Sequence, residues 1–163
     1  MKVFPTIEKE FVLTDNQEKT LDRLKRRTDY SKNLTSQKTD KSFRGEVNEN
    51  KFKIISSAIG KGAFCVLTGE ISSNRGIVKV EIHKIFKVLS SVLLLLPILG
   101  LAVEYLNRAE DFSPVFLLIV FAQLLFIRFG FIELSFRSIS KSSLNRLRHV
   151  LDIEWKNNRQ HIM

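Results

Sequence analysis

Apolar and polar positions alternate with two different periods along this chain, and the change between them falls within a few residues. In the stretch VKVEIHKIF, Val78, Val80 and Ile82 alternate with Lys79, Glu81 and His83, the period of a half-buried strand. Shortly afterwards no side chain from Val88 to Val103 carries a charge. The window 85–106 holds only Lys87 and Glu104 as charges, and a second window, 114–136, holds only Arg128 and Glu133. A bilayer core about 30 Å thick needs about 20 helical residues, and each window meets that length. The intervening 107–113 is a short polar turn, so the pattern predicts a transmembrane helical hairpin.

Upstream, VFPTIEKEFVL reads as an extended segment, with Pro5 confining a strand there to a sheet edge. Thr14-Asp15-Asn16-Gln17 fits the capping box and predicts a helix start, followed by Leu21 and Leu24 on one face and Asp22 four residues before Arg26. From Thr28 to Lys41 the chain is polar and without period, which predicts a loop; its sequon Asn33-Leu34-Thr35 is a chance match on the cytoplasmic side. SFRGEVNENKFKI reads as a β-hairpin: Phe43, Gly45 and Val47 share one face, Asn48-Glu49-Asn50 turn, and Phe52 and Ile54 resume the apolar face. FCVLTGEI supplies a third strand, with Gly69 marking a bulge or a close backbone approach, and IVKVEIHKIF supplies a fourth.

After the second window, Leu144, Leu147, Leu151 and Trp155 form one helical stripe. The absence of Gly and Pro beyond Phe131 leaves the second span free to run on into that helix. Such a stripe covers the sheet, lies on the inner leaflet, or meets a second copy, and the sequence leaves all three open. The reading is an α+β membrane protein. A cytoplasmic antiparallel β-meander of at least four strands with a short helix spans 1–84, the hairpin 85–136, and a C-terminal amphipathic helix 137–163.

Charge sets the expected orientation. The net charge is +9; 17 Lys and Arg precede residue 85 and six follow from Arg137, while the turn carries one against Glu104, Glu110 and Asp111. The positive-inside rule then places both termini in the cytoplasm and the turn outside. MKVFPTIEKEF lacks an apolar h-region, which predicts no cleavable signal peptide. A single cysteine, Cys65, agrees with a reducing compartment. Basic residues flanking spans meet anionic headgroups, so the charge does not call for nucleic acid.

An ionisable residue inside a span is costly to insert, which singles out Arg128. It either snorkels toward the inner headgroups or faces neighbouring copies, with Gln123 and Ser90 or Ser91 lining a polar path. Glu133 is level with Lys87 across a symmetric hairpin, predicting an ion pair near the inner boundary. Pro97 and Gly100 permit a kink and a close helix approach. Lys25, Arg26, Arg27 and Lys61 are candidate anion or headgroup contacts, Lys61 within Gly60-Lys61-Gly62, a turn that resembles a small anion nest. His83, His149 and His161 show no metal spacing, and no nucleophile or metalloprotease motif occurs. No cofactor, metal or enzymatic activity is expected.

The block from Phe43 to Ile71, with Phe43, Gly45, Val47, Phe52, Ile54, Gly69 and Ile71 at the matching positions, resembles a loosely defined group of small bacterial membrane proteins in which such a β block precedes two spans. That resemblance implies architecture and no activity. A more distant likeness is to membrane effectors of antiphage signalling, in which the hairpin precedes the β domain rather than following it. The expectation is a non-enzymatic inner-membrane protein whose β domain binds a partner, a lipid headgroup or a small ligand. A ligand-triggered effector that perturbs the membrane by oligomerising through its hairpin, and an accessory subunit of a membrane complex, are the alternatives.

Overall fold

The computed structural model describes residues 4–35, 37, 39–57, 62–107 and 113–156. Its centre is a mixed sheet of seven strands: β1 (Thr6–Leu13), β2 (Thr28–Tyr30), β3 (Phe43–Val47), β4 (Lys51–Ser56), β5 (Cys65–Ser72), β6 (Arg75–Ile82) and β7 (Ile153–Trp155). They lie side by side in the order β2-β3-β4-β5-β6-β1-β7. The antiparallel run β3 to β6 follows the alternation read from the sequence, with the 48–50 turn closed by the Asn48 amide on the Lys51 carbonyl at 2.8 Å. Gly45 sits at φ +145°, where a Cβ would lie 2.2 Å from the Lys53 carbonyl oxygen, so this kinked position excludes a side chain. Gly69 is a close approach: it pairs with Phe52, whose ring crosses the space its Cβ would fill, and Phe11 crosses Gly76 in the same way.

The ends of the sheet depart from expectation. β2 falls within the stretch read as loop and pairs in parallel with β3, its three residues being too few to show a period. β1 is no edge strand: it pairs with β6 along its length and with β7 at Phe11–Leu13, and Pro5 precedes it. β7 holds Trp155, which therefore does not continue the leucine stripe. The preceding helix stops because Asp152 turns left-handed at φ 53°, a conformation Asp adopts at modest cost.

One apolar face of the sheet is covered from within the chain. Helix α1 (Gln17–Arg27) is capped by Asn16, whose side chain accepts the Lys19 amide at 3.0 Å, and not by Thr14. It contributes Leu21 and Leu24 to the same core as Phe43, Phe52, Ile54, Leu67 and Val80. Helix α4 (Leu134–Leu151) adds Phe136, Leu144, Leu147 and Leu151. Of the three covers open for the leucine stripe, the sheet takes it.

Two helices are long and apolar enough to cross a membrane. The first, α2 (Lys84–Asn107), begins two residues after β6 ends, so the fourth strand stops at Ile82 rather than Phe86. The second runs unbroken from Val115 to Leu151: α3 (Val115–Leu125), a π-helical segment (Phe126–Glu133) and α4. The two pack against each other. Most of their apolar side chains are left uncovered by the rest of the chain, as Leu106 at 79% and Leu118 at 69% exposure illustrate.

Candidate anion-binding site at the strand–helix junction

The junction between β6 and α2 consists of His83 alone. Its amide bonds the Phe64 carbonyl at 2.9 Å, and its own carbonyl accepts the Lys87 amide at 2.9 Å. Nδ1 accepts the Ile85 amide at 3.3 Å. A backbone N–H can only donate, so this bond forms only while Nδ1 carries no proton. Burial, then the nearby Lys53 and Lys84, hold the His83 pKa below its ordinary 6.5. The Phe64 and Phe86 rings meet at 5.2 Å and seat the first turn of α2 against the end of the sheet.

Around this junction lies a pocket of about 570 Å³ whose lining includes Lys32, Lys53, Lys79, Lys84 and Lys87. Strand register creates it. Lys53 is opposite Thr68, and Thr68 is opposite Lys79, so three neighbouring strands present one polar row on the face away from the core. The loop 32–35 forms another wall, and α2 contributes the last two lysines. Among the described residues, Glu81 is the one carboxylate in the lining. It bonds Lys79 and, at 3.1 Å, Lys87. The Lys79 hydrogen bond is the main cause holding the Glu81 carboxyl below the usual carboxylate range, and the same bond raises the Lys79 pKa. Lys32, Lys53 and Lys84 have no ion pair among the described residues. Five ammonium groups against one carboxylate leave a positive pocket beside the first turn of an apolar helix, a setting that attracts phosphate.

Within the second apolar helix, Arg128 does not stand alone. It pairs with Glu133 at 3.1 Å, and Arg137 binds the other oxygen of the same carboxylate at 3.0 Å. In an α-helix residues five apart lie about 140° from each other around the axis. The π-helical geometry of Phe126–Glu133 brings them onto one face. Glu133 is therefore not the partner of Lys87, which turns to Glu81 instead. The Arg128 guanidinium also lies 5.3 Å from the Phe129 ring centre. No hydrogen bond joins it to Gln123, Ser90 or Ser91: Ser91 bonds the Lys87 carbonyl at 2.9 Å, and Ser90 is buried.

Gln123, Pro97 and Gly100 do come together, lining with Glu104 a groove of about 900 Å³ between α2 and α3. A Cβ added at Gly100 would meet nothing within 4 Å, so no close helix approach occurs there. Lys25, Arg26 and Arg27 end α1, away from the junction lysines, and Lys61 lies outside the described residues. Comparison with family models, curated proteins and solved structures found no match to this chain. Its site is therefore read from its own geometry.

Proposed function

We propose that this chain is a non-enzymatic, multi-pass protein of the bacterial inner membrane, with both termini cytoplasmic, that binds acidic phospholipid headgroups through the lysine pocket at the strand–helix junction. In this reading α2 and the Val115–Leu151 helix form a transmembrane hairpin, and the amphipathic C-terminal part of the latter holds the sheet at the membrane surface. The observation that carries it is placement: the positive pocket opens where the first apolar helix starts, which in this reading is the level of the headgroup phosphates. Each lysine near an anionic surface contributes about 1 kcal/mol.

The test uses the full chain in detergent, titrated with short-chain phosphatidylglycerol and short-chain phosphatidylcholine. Phosphatidylglycerol is expected to bind more tightly. Replacing two of the three unpaired lysines, in the double variant Lys53→Gln/Lys84→Gln, is expected to weaken it about thirtyfold, the equivalent of about 2 kcal/mol. Equal binding of both lipids, or a double variant that binds like the natural chain, overturns the reading.

A second reading, a triggered effector that oligomerises through the hairpin, is favoured by Gln123. Its side chain lines the α2–α3 groove and makes no hydrogen bond among the described residues. Within a bilayer such a group gains from a polar partner on another helix.

A further inference from the structure

A second basic cleft lies at the other end of α4. It has a volume of about 740 Å³ and is lined by Arg23, Arg26, Arg27, Ser42, Arg146, His149 and Val150, with no carboxylate in the lining among the described residues. Helical spacing explains the convergence. Arg23, Arg26 and Arg27 stand at i, i+3 and i+4 on α1, Arg146 and His149 stand at i and i+3 on α4, and the two helices pack together. Two of the four guanidinium groups are anchored by the fold: Arg23 by Asp15 and by the Leu151 carbonyl at 3.3 Å, Arg146 by the Ser42 carbonyl at 3.4 Å. Arg26 has only a 3.5 Å pair with Asp22 in which both side chains are exposed, and Arg27 has no ion pair or hydrogen bond among the described residues.

Basic residues at a helix C-terminus are ordinarily explained by the helix dipole. Two C-termini end near this cleft, contributing about half a negative charge each. Asp15 and, at 3.9 Å, Asp152 offset Arg23, and Asp22 offsets Arg26, which leaves Arg27 and Arg146 without a carboxylate among the described residues; the two C-termini account for about one of those two charges. In the membrane reading proposed above, the cleft also lies away from the bilayer. Arg146 follows Arg137 by nine helical residues, about 14 Å along the axis. That exceeds the screening length of about 8 Å at physiological salt. Guanidinium forks match phosphate oxygens in pairs, and the volume suits a small molecule.

We propose that this cleft binds a small soluble ligand carrying two or more phosphate groups, independently of the headgroup pocket. The test is calorimetric titration of inorganic pyrophosphate into the full chain held in phosphatidylcholine nanodiscs, which present no anionic lipid. Saturable binding is expected, weakened about tenfold or more in Arg27→Gln, since a hydrogen bond to a charged group is worth about that factor. Because Arg27 supports nothing else in the fold, this variant is expected to unfold at the natural temperature. Arg146→Gln, on the facing helix, is expected to weaken binding likewise, and Lys53→Gln/Lys84→Gln to leave it unchanged. Absence of pyrophosphate binding, or binding unaffected by both arginine changes, overturns the proposal. Loss of binding in the lysine double variant also overturns it, by assigning the anion to the junction.

Discussion

His83 joins the last residue of β6 to the first of α2, so its protonation bears on both. Its Nδ1 caps the helix only while unprotonated, and a proton there would also face the Lys53 and Lys84 ammonium groups. The folded pKa lies below 6.5, so as pH falls through 6.5 the unfolded chain takes up the proton first. The stability His83 contributes is therefore fully present above 6.5 and is lost as pH drops through the folded value. Asn retains an acceptor suited to a helix N-terminus and does not titrate. Thermal unfolding of the detergent-solubilised chain is expected to show a destabilising step below pH 6.5 in the natural protein that is reduced in His83→Asn. Parallel pH profiles for the two proteins would show that the cap does not sense the proton.

At the scale of elements, the helix Val115–Leu151 has two differently solvated parts, and leucines in each should respond differently to truncation. Leu147 is fully buried against the sheet, whereas Leu134 is 63% exposed on the apolar side. Leu147→Ala should cost about 2–5 kcal/mol through lost burial and the cavity left behind. Leu134→Ala, whose surroundings close over the missing atoms, should stay within about 0.5 kcal/mol. Cys65 provides the readout. It is buried, with burial pushing its thiol up to about 12, so alkylation at neutral pH reports unfolding. Equal losses in both variants would mean that α4 does not hold the sheet. The stripe Leu144, Leu147, Leu151 was legible because helical spacing is local, and so were the alternating strands β3 to β6. Trp155 misled because one left-handed residue, Asp152, resets the count. The Lys53–Thr68–Lys79 row was hidden because strand register is not local, although alternation already put each residue on the polar face. The sequence paired Glu133 with Lys87, because α-helical spacing sets Arg128 and Glu133 apart and only the π-helical segment joins them.

For the whole molecule, length limits the arrangements. Val115–Leu151 is 37 residues, about 55 Å of helix, against a bilayer core of about 30 Å. Some 25 Å must project from any bilayer it crosses. The end that projects carries the sheet, because Leu144, Leu147 and Leu151 are buried in the sheet's core. In a cell, Ser113→Cys, beside the short turn, is expected to react with a membrane-impermeant maleimide added outside, and Asn74→Cys, at the far end of the sheet, is expected to stay unlabelled until lysis. The reverse pattern would invert the orientation and remove the headgroup pocket from the inner leaflet. Given that orientation, Arg128 decides between binder and effector. Its charge is matched by Glu133 on its own helix, and Arg137 shares that carboxylate. An anchored binder leaves membrane potential, read by dye in expressing cells, unchanged, and Arg128→Leu keeps the preference for phosphatidylglycerol because Arg128 is not among the residues that line the lysine pocket. Depolarisation by the natural chain that disappears in Arg128→Leu would instead make this arginine part of an intermolecular path, with Gln123 as its neighbour along the span, and the lysine pocket would become the trigger of that effector.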